Sequence, residues 1–255
     1  MPMADLADGN VTAGEPNLQF VELFGPTVQG EGPTVGFATH FLRLAGCNLS
    51  CVWCDTAFSW DSAREDPDRL PRSIAVSEVL RSLDPRAESP HSASPVARRL
   101  VITGGEPLLQ AAALTSLCRR LRDLDWFLEV ETSGTVPPGP LVALIDRFNV
   151  SPKLANSGVT QRARIRLAVL NTFAELPSAS FKFVARTLED LDEAARMLDE
   201  LDERVHPSRV MVMVEGTEPQ QILERSRGLV EAVVARGWGM TPRWHTLLWG
   251  DERGR

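Results

Sequence analysis

The chain has 255 residues, 43% of them hydrophobic, and a formal net charge of −7. The hydrophobic share suffices for one sizeable core, while the acidic balance, with no run of basic residues, argues against a nucleic-acid partner. No apolar run approaches the roughly 20 residues a membrane helix needs, and residues 1–17 lack a basic start followed by an apolar core; a cytoplasmic protein without membrane contact is expected. Positive charge is almost wholly Arg, with Lys153 and Lys182 the only lysines, so a lysine in a motif is not readily dismissed as surface filler.

Residues 1–17 are polar and without period, which predicts a flexible arm ahead of a single catalytic domain over 18–255. Leu18 to Phe24 reads as a strand, and Gly25 to Gly36 as a loop whose glycines let backbone approach a ligand closely. Ala38 to Ala45 (ATHFLRLA) reads as the first core strand, with a cysteine-rich loop at its C-terminal end, where β/α folds place catalytic groups. A helical pattern covers Ser73 to Leu83, and Asp84 to Ala97, with three prolines, is the most loop-like internal stretch. Leu100 to Thr103, Trp126 to Glu131, Phe148 to Ser151, Ser180 to Val184 and Arg209 to Val214 read as further strands. Helical patterns cover Ala111 to Leu124, Pro140 to Arg147, Arg164 to Leu176, Leu188 to Arg204 and Pro219 to Arg236. This alternation predicts an α/β fold with a parallel sheet and right-handed crossovers. The tail adds one apolar segment and a histidine, His245.

Cys47, Cys51 and Cys54 lie within eight residues, three of the chain's four cysteines. Soft thiolates so spaced can be presented by one short loop to three irons of a cubane cluster, leaving the fourth iron open. A structural zinc would want a fourth ligand from a second nearby pair, and Cys118 sits mid-helix where a small buried hydrophobe is expected. A redox pair at Cys51 and Cys54 leaves Cys47 unexplained. The thiols fit a reducing compartment rather than a disulfide framework. Thr103-Gly104-Gly105-Glu106-Pro107, Glu131-Thr132-Ser133-Gly134 and Ser151-Pro152-Lys153 each follow a strand end. Taken alone, the first two are equally readable as turns, while the third holds one of only two lysines.

The cysteine spacing, with Trp53 just before the last cysteine, resembles the radical S-adenosylmethionine (SAM) enzymes, and GGEP and SPK resemble that superfamily's SAM-binding segments. Gln29-Gly30-Glu31-Gly32, Phe41 to Leu49 and Cys54-Asp55-Thr56 further resemble the 7-carboxy-7-deazaguanine synthase family. The resemblance implies a partial β/α barrel of the TIM type, with a [4Fe-4S] cluster ligated by Cys47, Cys51 and Cys54. It implies SAM contacts from Trp53, Cys54, Asp55, Gly105, Glu106, Ser133, Ser151, Pro152, Lys153 and Glu215, although the VMVEG around Glu215 departs from the usual sequence. Val28, Gln29, Gly30, Glu31, Arg43, Thr103, His245 and the terminal Arg255 are implied to meet the substrate, and Thr56 to ligate Mg²⁺. The implied reaction is radical ring contraction of 6-carboxy-5,6,7,8-tetrahydropterin to 7-carboxy-7-deazaguanine with loss of ammonia, started by hydrogen abstraction after a reduced cluster cleaves SAM. A flavodoxin or ferredoxin electron donor and a homodimer are implied as well. Two other readings differ in what they need. A radical SAM activase, which makes a glycyl radical on a partner protein, shares the cysteines without needing QGEG or Arg43. A non-catalytic iron-sulfur carrier needs neither GGEP nor SPK.

Overall fold

The structure, a computed structural model, describes residues 14–61, 63, 71–83 and 97–250. Most of the expected arm, the predicted loop from Asp84 up to residue 96, and Arg255 lie outside the described residues. Nine strands form one sheet among the described residues: Asn17–Val28 (β1), Ala38–Leu44 (β2), Arg72–Ala75 (β3), Arg99–Gly104 (β4), Phe127–Thr132 (β5), Arg147–Val150 (β6), Ala179–Ala185 (β7), Val210–Val214 (β8) and Gly239–Thr241 (β9). Their order is β3-β1-β2-β4-β5-β6-β7-β8-β9. β1 runs antiparallel to both its neighbours, and every pair from β2 to β9 is parallel. With β3 and β9 as its edges, the sheet is the incomplete β/α barrel that the strand–helix alternation predicts.

The helices are Val76–Leu83 (α1), Ala111–Arg122 (α2), Gln161–Arg164 (α3), Leu167–Ala174 (α4), Leu188–Asp199 (α5), Pro219–Ala235 (α6) and Trp244–Trp249 (α7). Side chains alternate across a strand, and here the alternation sorts the barrel into two chemistries. Leu100, Ile102, Leu128, Val130, Phe148 and Phe181 form the main core with helix residues such as Leu114, Leu117 and Phe173. The intervening positions face the lumen, and cross-strand register brings Arg43 beside Thr103, Glu129 beside Arg147, Glu131 beside Asn149 and Lys182 beside Met211. The lumen is therefore polar, ready to hold a ligand rather than to close as core. Cys118 is fully buried within that core, as expected of a small hydrophobe, and burial pushes its thiol up to about 12.

Several boundaries differ from the sequence reading, each for a local reason. Residues 14–17 of the expected arm are tied down: Glu15 accepts hydrogen bonds from Ser77 N (2.8 Å) and Oγ (2.9 Å), and Asn17 opens β1. Ser73 to Ala75, read as the start of a helix, instead belong to β3, which pairs with Asn17 to Phe20 because the free edge of β1 offers it a ladder. β1 runs on past Gly25 to Val28. The helix read over Pro140 to Arg147 is a 3-10 turn, Gly139–Ala143, followed by β6, whose residues are drawn into the ladder between β5 and β7. The helix read over Arg164 to Leu176 breaks at Ile165, where the buried Arg164 turns to bond Lys153 O (2.8 Å) and Glu193 (2.8 Å). Among the described residues no helix is long and apolar enough to cross a membrane.

Candidate active site

The cysteine loop leaves the end of β2 and is stitched back by backbone bonds: Gly46 N donates to Ser59 O (2.8 Å) and Val52 N to Ser157 O (3.0 Å). All three cysteines line one cavity of about 270 Å³. Two sulfurs already receive N–H donors, Leu49 N to Cys47 Sγ and Trp60 Nε1 to Cys54 Sγ, both at 3.4 Å, the kind of bond that tunes thiolate-held iron. Burial pushes the Cys47 thiol up to about 11 and raises Cys51 as well, the latter opposed by Lys153; a bound metal takes the place of those protons. Among the described residues no three His, Cys, Asp or Glu side chains converge tightly enough for a single metal ion. Three thiols presented by one loop to one chamber suit a multi-iron cluster.

The GGEP turn at the end of β4 packs on this loop. Gly105 N donates to Leu44 O (3.1 Å) and Glu106 N to Gly46 O (2.8 Å). A Cβ on Gly105 would come within 2.1 Å of Gly46 O and 2.9 Å of the Cys47 Cβ, so only glycine permits the approach. Glu106 is fully buried, and its carboxylate accepts from Thr132 Oγ1, Ser133 N and Leu108 N at 2.8, 2.8 and 3.1 Å. It braces the turn against β5 from behind the cavity wall. Ser133, Ser151 and Lys153 face the cavity. Lys153 donates to Ser151 Oγ (3.1 Å) and sits 5.6 Å over the Trp53 ring, whose Nε1 donates to Asn156 O (3.0 Å).

On the same cavity, residues 29–37 hang between β1 and β2 and cross the lumen as a bar. Gln29 N pairs with Phe37 O and Gly36 N with Gln29 O, both at 2.9 Å. Gln29 Nε2 donates to Glu131 Oε1 (3.2 Å) and Gly32 N to Thr241 Oγ1 (2.7 Å); Lys182 pairs with Glu31. Trp244 N donates to Gly30 O (2.9 Å), and a Cβ on Gly30 would stand 2.4 Å from His245 Nδ1. The bar thus ties the open β9 edge and α7 to the rest of the barrel. Thr103 Oγ1 donates to Glu131 Oε2 (2.8 Å), and Arg43 Nε to Glu22 (2.7 Å).

Charge fixes the protonation states here. Burial alone would raise the Glu31 carboxyl, but Lys182, His245 and Arg243 together outweigh it and bring it down to about 2. Burial would lower the Lys182 ammonium, yet Glu31 and Glu131 raise it. Burial holds the His245 imidazole below its usual range, with Glu31 opposing, so His245 is neutral at neutral pH and keeps one ring nitrogen as an acceptor.

A family model described as "4Fe-4S single cluster domain" matches residues 28–133. The 7-carboxy-7-deazaguanine synthase of Pyrobaculum aerophilum is 35% identical over 242 residues, covering 94% of this chain and 98% of the relative. The chain belongs to the 7-carboxy-7-deazaguanine synthase family. The enzyme of that name from Halobacterium salinarum is 31% identical, covering 98% of both chains. The crystal structure of QueE from Escherichia coli superposes with a TM-score of 0.63 at 21% identity, covering 89% of this chain and 93% of that one, which supports the fold. As a member of this family the chain is a radical SAM enzyme that uses a [4Fe-4S] cluster and SAM. The three cavity-lining thiols with their N–H···S donors fit the cluster.

Against this family pattern, the structure gathers Val28, Gln29, Gly30, Glu31, Arg43, Cys47, Cys51, Trp53, Cys54, Asp55, Thr56, Thr103, Gly105, Ser133, Ser151, Lys153 and His245 around one cavity. Three expected SAM contacts are not on its lining. Glu106 is spent on β5 as described, and Pro152 is buried. Glu215 pairs with Arg225 and, at 3.0 Å, with Arg186. Other lining residues have no role assigned from the sequence: Glu131, although it opens the ETSG segment, Lys182, Arg243, which pairs with Asp55 and donates to Gly216 O, and Trp60. The signal for two of them was a charge alternating with apolar residues inside a strand, as in LEVET and FKFV, since such a charge must face either solvent or the lumen of a barrel.

Proposed function

We propose that the chain converts 6-carboxy-5,6,7,8-tetrahydropterin to 7-carboxy-7-deazaguanine with loss of ammonia, a step of queuosine biosynthesis. The observation that carries this reading is that the cysteine loop and the Gln29–Glu31 bar open on the same cavity. Bound cluster and SAM supply the radical chemistry that removes hydrogen from the substrate. The residues around them supply position. Gln29, Glu31, Thr103 and the backbone of Val28 and Gly30 match the donor–acceptor edge of a pterin, and Arg43 offers a cationic fork to its carboxylate. Neutral His245 offers an acceptor beside Gly30. Gly105, Ser133, Ser151, Lys153, Trp53 and Asp55 form the SAM side, with Glu106 and Pro152 holding it from behind.

Thr56 Oγ1 lies 3.6 Å from Cys54 Sγ on the same lining. We assign it as the protein ligand of a Mg²⁺, an ion that fills its remaining positions with water and substrate oxygens. Residues 18–255 act as one catalytic domain, reduced by a flavodoxin or ferredoxin in the cytoplasm, where thiolates stay reduced. A homodimer is supported by exposed Leu223, Val230 and Val234 along one side of α6. A glycyl-radical activase or an electron carrier has no need of the Glu31–Lys182 pair. The test is anaerobic incubation of reconstituted protein with SAM, reductant and the carboxypterin, followed by mass spectrometry. Formation of 7-carboxy-7-deazaguanine is expected; slow SAM cleavage with the pterin unchanged would sink the reading.

A further inference from the structure

Glu129 is 1% exposed, on the lumen face of β5 below Glu131. Glu131 on its own strand, Arg99 on β4, Arg147 on β6 and Lys182 on β7 face it, along with Thr34 from the bar. Burial first, and then Glu131, push its carboxyl up to about 7. A carboxyl is an expensive way to fill buried space that a leucine would fill without polar cost, so its one strong contact matters. Among the described residues its only side-chain hydrogen bond is accepted from Thr34 Oγ1, through Oε2, while Oε1 has no protein partner.

Thr34 closes the 3-10 turn Gly32–Thr34, in which Pro33 fixes the backbone. The other end of that turn is seated too. Gly32 adopts φ +75° and rests on the fully buried Asn149, so that a Cβ would come within 2.3 Å of Asn149 Nδ2. Gln29, Gly30 and Glu31 lie between this seat and the end of β1, on a lever only a few residues long.

We propose that Glu129, acting through Thr34, is the positioning residue that sets how deep the Gln29–Glu31 bar lies in the barrel, and thereby the affinity for the substrate. This rests on reading Gln29 and Glu31 as substrate ligands. Glu129 does not touch the substrate; it holds the segment that does.

The test uses reconstituted holoenzyme and compares equilibrium binding of 6-carboxy-5,6,7,8-tetrahydropterin, KM and kcat across Thr34→Val, Thr34→Ser, Glu129→Leu and Glu129→Gln. Loss of the hydroxyl–carboxyl contact in Thr34→Val or Glu129→Leu should weaken substrate binding and raise KM about tenfold. Iron content, SAM affinity and kcat at saturation should stay within about threefold of wild type. Thr34→Ser and Glu129→Gln keep a donor and an acceptor and should restore binding. Should Glu129→Leu fail to fold, Thr34→Val carries the test, since it removes one hydroxyl at constant shape. A wild type that converts the pterin beside a Thr34→Val that binds it equally tightly overturns the inference alone. A wild type that neither binds nor converts the pterin overturns the functional reading and this inference with it.

Discussion

The two walls of the cavity are built by different means. The wall we assign to the cofactors joins segments through backbone: Gly105 N to Leu44 O, Glu106 N to Gly46 O and Gly46 N to Ser59 O, at 3.1, 2.8 and 2.8 Å, with a glycine where any side chain would collide. The wall we assign to the substrate is a bar held by side chains reaching from strands far apart in sequence: Glu131 on β5, Lys182 on β7 and Thr241 on β9. A backbone-built wall keeps one shape and delegates chemistry to its cargo. A side-chain-built wall carries the specificity itself, at the cost of burying charges that must stay paired.

If the walls are separable in this way, substitutions on each should fail differently. The largest effect belongs to the cluster ligands: Cys51→Ala should lower iron content and cut turnover by about a thousandfold or more, on the order of the barrier that a cofactor's chemistry spans, while the protein stays folded. Full turnover in that variant would break the cluster assignment. Next, Lys182→Met strands Glu31 without its buried partner and should cost about 3–5 kcal/mol in denaturant unfolding. Glu31→Gln in the same chain should regain much of that stability without regaining substrate affinity. Stability recovered together with affinity would show that the pair is only structural.

The smallest effect is a pH slope. Glu129 holds its proton up to about 7, against 4.5 for the free side chain. Between those values the unfolded state has released a proton that the folded state keeps, so stability falls as pH rises through the window, by roughly 3 kcal/mol at most. Glu31, brought down to about 2, acts with the opposite sign and only on the acid side, its contribution lost as pH falls through that value. Urea unfolding at pH 5 and pH 8 should show Glu129→Gln flattening the neutral-side loss; an unchanged slope would place that loss elsewhere.

Most of the cofactor wall was legible in the sequence because its determinants are local. Cysteine spacing, glycines at a turn and short segments at strand ends are properties of a few consecutive residues. The substrate wall was only half legible. Gln29, Glu31 and Arg43 stand in recognisable segments, but Lys182 stands in none, and the ETSG segment that holds Glu131 does not reveal that its carboxylate reaches Gln29 and Thr103 across the sheet. Glu106 shows the converse: its motif is plain, yet only the structure reveals that Thr132 and Ser133 consume its carboxylate. The errors of secondary structure have the same origin. Arg72–Ala75 became a strand because a distant edge was free to pair with it, and β9, too short to announce itself, formed beside β8.

The claim that both walls serve one reacting centre is tested most directly by labelling. Substrate deuterated at C6 is incubated with the reconstituted enzyme, and the recovered SAM is examined by mass spectrometry. The family resemblance implies that hydrogen is taken from C6 and that SAM is regenerated at each turnover, so if substrate and SAM meet in this cavity, deuterium should appear in SAM as product accumulates. Product formation with SAM left wholly unlabelled would contradict the account.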